Sequence, residues 1–439
     1  MRTATSGPRS RRTPKAGPPG VATDAHPINT GVIQLSARKP HTIYAAALKL
    51  RPDLVKWRRH FHMYPEPSMQ EHETAAYVAE RLREMGVADI RTGIGETGVT
   101  GLIRGAKPRG RTVALRADMD ALEMTEETGA EYASQRPGLM HACGHDAHVA
   151  GLLGAAAILH EMREGLPGHV KLVFQPGEEG AGGALRMIED GVLRDPAVSA
   201  IAGLHVFPEI AAGRIELNRG FVTAQSDDVN LAIIGEAAHA AHPDQGIDAF
   251  AIATQALAAI QQFVTRGTDP VHRKVVTFGT IQGGTRRNVL AERVELAGTV
   301  RTYETETREA IIDFIGNRLR ALVGELGGRL EVSIAEGYPP LCNDDWALEC
   351  MRDAACEVLG PDRVSEAEYP SLGAEDFAFF PQVGGIAAVM GQLGSRDEER
   401  GMTWPLHSTR ADLPDDVVLP TAAAVLANTA LTMLARGRG

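Results

Sequence analysis

Residues 141–148 read HACGHDAH. Cysteine, histidine and carboxylate side chains this close together are the donors that zinc and similar divalent ions prefer. They are also the parts of a cysteine nucleophile with its base. Three other places carry such groups: Glu178-Glu179 after KLVF, His205 after AIAGL, and His407 in WPLHS. Five donors from these four segments can hold two ions if one donor or a hydroxide bridges them. Cys143 and His145 can point the same way if the loop is extended. Glu178 and Glu179 are adjacent and should point apart, so one can bind metal while the other stays free as a base. Hydrolysis at a metal needs both roles. A Cys143 nucleophile with His145 or His141 as base is a second reading, but it leaves Glu179, His205 and His407 idle. A third is a non-enzymatic binder of metal or ligand, for which a free Glu178 would be superfluous. His60 and His62, in a helix-ending turn, read as structural.

The elements around these residues predict an α/β domain. Helices are expected from about Ala45 to Arg59, over Glu73–Met85, from near Val149 through VAGLLGAAAILHEM, and at 184–190. Strands are expected in TGVTGLIRG, RTVALRADMD, HVKLVFQ and SAIAGLHVFP. Such alternation implies a largely parallel sheet with functional groups beyond the carboxyl ends of its strands. From about Ser226 the order becomes β-α-β-β-α-β, a ferredoxin-like α+β pattern, its second helix running through ETREAIIDFIGNRLRALVGELG. The expected division is a tail over 1–40, a catalytic domain over 41–224 and 337–439, and an inserted domain over 225–336.

The net charge of −11 argues against a nucleic-acid binder, which needs a basic face. No run approaches the ~18 apolar residues of a membrane span. The four cysteines show no Cys-x-x-Cys spacing, which fits a reducing, cytoplasmic setting rather than a disulfide scaffold.

The segments LRADMDAL (115–122), MHACGHDAHVA (140–150), FQPGEEGAGGA (174–184), GLHVFP (203–208), GGTRRNVL (283–290), LAGTVRTYE (296–304) and GAEDFAFF (373–380) together resemble the di-metal amidohydrolases of the aminoacylase/carboxypeptidase superfamily. The branch they resemble contains hippurate hydrolases, N-acyl-amino-acid amidohydrolases and auxin-conjugate hydrolases. The resemblance implies hydrolysis of N-acyl or N-aroyl amino acids by a metal-bound hydroxide, or a dipeptidase- or carboxypeptidase-type reaction at the same site. It implies two divalent ions (Zn, Mn, Co or Ni) on Cys143, His145, Glu179, His205 and His407, with Glu178 as general acid/base. Asp118 and Asp120 would orient the ligands, and His141, Asp146 and His148 would support or cap the following helix. In the inserted domain, the resemblance assigns His239 to the oxyanion of a partner subunit's site and Asn288 to the substrate, and implies a homodimer or higher homo-oligomer through this lid. Two departures stand out. Ala237-Ala238-His239 followed by His242-Pro243-Asp244 leaves His239 and His242 both open for the lid role, and Glu123 follows Leu122 where relatives carry proline.

Overall fold

The structure is a computed structural model and describes residues 40–107 and 109–437. The tail expected over 1–40 lies outside them, apart from residue 40. The first stretch carries α1 (Pro40–Met63), α2 (His72–Met85), β1 (Ala88–Ile94), β2 (Gly98–Ile103), β3 (Thr112–Asp118), α3 (His145–Glu161), β4 (His169–Gln175), α4 (Gly183–Glu189), β5 (Val198–Ala211), β6 (Ile215–Leu217) and β7 (Gly220–Thr223). The middle carries β8 (Gln225–Ile234), α5 (Ala249–Arg266), β9 (Lys274–Gly283), β10 (Arg293–Thr302), α6 (Thr305–Asp313), α7 (Leu319–Glu325) and β11 (Arg329–Glu336). The last carries β12 (Leu341–Asn343), α8 (Asp345–Leu359), β13 (Val364–Glu366), α9 (Phe379–Gln382), β14 (Ala387–Arg396) and α10 (Asp415–Arg436).

Eight strands form one sheet in the order β1-β2-β4-β3-β5-β14-β6-β13. Its centre, β4-β3-β5-β14, is parallel, while β1, β2 and β6 join antiparallel. Every residue of β3 and β4 is buried, the polar Arg116, Asp118, His169, Lys171 and Gln175 included, because a central parallel strand is covered on both faces. Over the sheet lies a layer of α1, α3, α8 and α10. Small residues let it pack tightly: a Cβ on Gly151 of α3 would sit 2.7 Å from that of Ala422 of α10. By length and composition α10 could cross a membrane, yet 94% of its most apolar window is buried inside the protein. It is a core helix.

Strands β11-β8-β10-β9 form a second, wholly antiparallel sheet. Residues of α5, α6 and α7 share one apolar cluster with it, including Ile233, Ile252, Leu296, Ile311 and Leu319. Asp248 caps α5 by accepting from the amides of Phe250 and Ala251, as a short acidic side chain does at a helix start.

Several local expectations are corrected. Helix α1 continues to Met63, so His60 and His62 lie inside its last turn. Strand β1 is not among the expected elements, because ADIRTGI is an edge strand with no buried position. Helix α3 begins at His145, not near Val149. Strand β5 contains the expected SAIAGLHVFP segment and continues past it to Ala211. The single helix expected after β10 is α6 and α7 joined by a π-helical turn at Phe314–Arg318.

Candidate metal centre and active site

The opening motif is shaped by one glycine. Gly144 has φ +80°, and a Cβ there would lie 2.4 Å from Val206 of β5. The bare backbone lets the loop turn left-handed against the sheet, so Cys143 ends a turn and His145 starts α3. The extended loop expected here is therefore absent. Cys143 Sγ still comes within 3.5 Å of His205 Nε2. His205 is inside β5 and paired with β14, yet level with the end of β3, which stops at Asp118 and pairs with β5 only up to Gly203.

Hydrogen bonds fix which nitrogen of each histidine faces inward. His205 Nδ1 donates to the carbonyl of Val206 at 2.8 Å. His145 Nδ1 donates to Asp120, at 2.9 Å to its carbonyl and 3.2 Å to its carboxylate. In both, Nδ1 is engaged by the protein and Nε2 is the nitrogen turned to the site, the arrangement that orients metal-binding imidazoles. His145 Nε2 is buried without a hydrogen bond, 3.6 Å from Asp118 and 3.9 Å from Glu179. An unpartnered buried ring nitrogen among carboxylates and a thiol fits a site for a cation. Burial and the nearby His148 push His205 down to about 3, so its ring is neutral. Burial pushes the Cys143 thiol up to about 12, outweighing His145.

Donor atoms of Cys143, His145 and His205 lie within 4.8 Å of one another, as do those of Cys143, Glu179 and His407. The sulfur belongs to both groups, so the donor set fits two divalent ions with Cys143 between them. His407 Nε2 is 3.2 Å from Glu179. The His407 backbone is left-handed, φ 61°, and its amide donates to Ala142, a constrained conformation of the kind that gathers at functional sites.

Asp118 and Asp120 sit where orientation is needed. Asp120 accepts from His145, from Ser68 at 2.6 Å and from the Glu179 amide at 2.9 Å. Asp118 accepts from Arg116 at 2.7 Å and from His148 Nδ1 at 2.5 Å. His148 Nε2 accepts from the Val206 amide, so neither of its nitrogens is free for metal. Asp146 pairs with the buried Arg58 and with His62, both at 2.7 Å. His62 is thus structural, and His60 stacks 3.8 Å over Tyr77. His141 is the exception: its ring is buried and neither ring nitrogen makes a hydrogen bond.

Glu178 and Glu179 do not diverge as adjacency suggested, since both reach a cluster with His145. Glu178 is buried beside Glu375 and Asp376, and burial and those carboxylates hold its proton affinity well above the ordinary range. Glu375 and Asp376 are themselves tied to Arg116 at 2.9 and 3.1 Å. A cavity of about 480 Å³ opens over Cys143, Glu178, Glu179, His205 and His407. Its lining also includes Arg301 of β10, which has no ion-pair partner among the described residues. His239 and Asn288 are exposed and outside that cavity. They neighbour each other through the His239–Val289 bridge and the bond from the Ala240 amide to the Asn288 carbonyl. The His239 and His242 rings are 5.9 Å apart.

Arg301 and Tyr338 carried no role in the sequence reading. Arg301 lies in the quoted segment LAGTVRTYE, but an arginine in an antiparallel strand ordinarily faces solvent.

Residues 114–432 match the model of peptidase family M20/M25/M40. The chain belongs to that family. As an M20 member it is a metal-dependent amidohydrolase with a binuclear site for two divalent ions. It is 39% identical over 353 residues to an N-acetyl-L-cysteine deacetylase of Bacillus subtilis (strain 168), covering 79% of this chain and 82% of the relative. It is 38% identical over 298 residues to an N-acyl-L-amino acid amidohydrolase of Geobacillus stearothermophilus, covering 68% and 80%. Among solved structures, the YXEP protein of Bacillus subtilis, a dinuclear metal-binding peptidase of the M20 family, aligns with a TM-score of 0.76 at 31% identity, covering 88% of this chain and 99% of that one.

Proposed function

We propose that this enzyme cleaves the amide bond of N-acyl or N-aroyl amino acids. In this reading Cys143, His145, Glu179, His205 and His407 hold the two ions, and Glu178 moves the proton. The observation that carries the reading is one cavity shared by Glu178, four of the five donors and the unpaired Arg301. A cation facing a hydrolytic centre suits the free carboxylate of an amino acid.

When bound, divalent ions supply water activation and carbonyl polarisation. The chain supplies the rest. Glu178, with its raised proton affinity, takes a proton from the attacking water and returns it to the leaving nitrogen. Asp120 and the Val206 carbonyl keep His145 and His205 in ligand form. Arg301 orients the amino-acid half. The donor chemistry suits Zn, Mn, Co and Ni alike.

The second sheet and its helices, residues 225–336, serve in this reading as an inserted lid and dimerisation domain of the ferredoxin-like kind. The partner subunit's His239 would steady the oxyanion, and Asn288 would contact substrate. Support comes from the exposure of both residues and their separation from their own chain's cavity. Free thiols at all four cysteines support a reducing, cytoplasmic setting.

The test is a panel of N-acyl amino acids on metal-reconstituted protein. Amine release that stops in EDTA and returns with added Mn²⁺, Co²⁺ or Zn²⁺ is the expected outcome. Turnover that survives chelation would overturn the reading.

A further inference from the structure

A second cavity of about 480 Å³ touches the same centre from another side. Its walls include Pro67, Ala121, Leu122, Glu123 and Met124, and it shares Glu179 and His407 with the cavity that contains Glu178 and Arg301. Two of the metal donors therefore form a partition, and a substrate whose reacting bond lies at the donors extends into both spaces.

We infer that this second cavity is the acyl subsite, and that Glu123 sets its charge preference against acyl groups that carry a carboxylate. The inference rests on the N-acyl amino acid reading above. The halves of the substrate can be assigned from proton transfer. The leaving nitrogen receives its proton from Glu178, which lines only the first cavity. The amino-acid half therefore lies there, beside Arg301, and the acyl half has the second cavity. That cavity suits an uncharged group. Apart from His407, its lining contains no basic side chain. Leu122 and Met124 pack on the cluster of Met140, Ala142 and Ala411. Glu123 is exposed, with no ion-pair partner among the described residues.

This wall is held rigidly to the reaction centre. The backbones of Leu122 and Met140 exchange two hydrogen bonds of 3.0 Å, and the Ala121 amide donates to Glu66 at 2.8 Å. Met140 stands three residues before Cys143, and Ala121 follows Asp120, whose carboxylate holds His145 and Glu179. Side chains on this loop therefore meet the acyl group at a fixed distance from the scissile carbonyl, as specificity demands.

The experiment uses the metal-reconstituted full chain and N-acetyl, N-butyryl, N-benzoyl and N-succinyl derivatives of one amino acid. The wild type is expected to favour butyryl over succinyl. Glu123→Lys, an exposed change that leaves the fold alone, should raise the succinyl-to-butyryl ratio of kcat/KM about tenfold. Leu122→Trp should lower the benzoyl-to-acetyl ratio. For a fixed acyl group, the ranking of different amino acids should hold in both variants. Acetyl turnover with both ratios unchanged overturns the subsite alone. So does an altered amino-acid ranking in place of an altered acyl ranking. No turnover of any derivative by the wild type overturns the hydrolase reading as well.

Discussion

The hydroxyl of Tyr338 donates to the backbone carbonyl of Glu178 at 2.6 Å and accepts from the Gly182 amide at 3.1 Å. The Tyr338 amide is in turn held by the Ser226 hydroxyl at 3.0 Å. The segment returning from the second sheet is thereby tied to the loop that carries Glu178 and Glu179. Tyr338→Phe removes hydrogen bonding worth about 1 kcal/mol. We expect kcat to fall about five- to tenfold with KM and metal content nearly constant. Steady-state kinetics with metal analysis checks this, and an unchanged kcat would show that the loop holds itself.

Glu178→Gln keeps the shape of the side chain and removes its proton chemistry. Turnover should fall by at least about 10²-fold while two ions per chain are still bound. Elemental analysis beside a product assay separates the two effects, and retained turnover would sink the assigned role.

Cys143 is common to both donor groups and His205 to one. Cys143→Ala should deplete both ions, whereas His205→Ala should chiefly deplete one. Stripping the wild type with chelator should lower Tm, because ions bound only by the folded state stabilise it by mass action. Equal metal loss in the two variants would contradict the bridging position of the sulfur.

His60 offers a pH test away from the metal donors. Burial, followed by Arg81, pushes it down to about 4 from an ordinary 6.5. Below pH 6.5 the unfolded chain binds a proton that the folded protein refuses. Stability present above 6.5 is therefore lost as pH falls towards 4. His60→Phe retains an aromatic face for Tyr77 and has no such titration. Its urea midpoint should fall less than that of the wild type between pH 7 and 4.5, and parallel curves would refute the assignment.

Mixing Glu178→Gln protein with His239→Ala protein tests the lid. If the partner's His239 completes each site, the mixture should recover activity that neither parent has. No recovery after subunit exchange would restrict His239 to a structural role, with His242 as the next variant to test.

The candidate metal donors were legible as a group because a thiol, imidazoles and paired carboxylates are unusual company and their local sequence is distinctive. Their backbone setting was less so. Gly144 could be read as a glycine but not as a left-handed turn against Val206, and His205 is placed by the unequal lengths of β3 and β5. The roles of Arg301 and Tyr338 depend on which wall of which cavity their strand or linker meets, and local pattern does not encode that. Arg58 hides similarly. A helix arginine reads as a solvated side chain, yet this one is buried against Asp146, Asp412 and Asp415.

The Ser226 amide donates to the Tyr338 carbonyl at 2.9 Å, and the Gly337 amide donates to the Ser226 carbonyl at the same distance. The chain thus departs for the second sheet and comes home at neighbouring backbone positions. A short turn there would close the eight-stranded unit without rethreading any strand. As connectivity, residues 227–336 are one excursion between hydrogen-bonded ends, and no strand of the eight-stranded sheet is drawn from them.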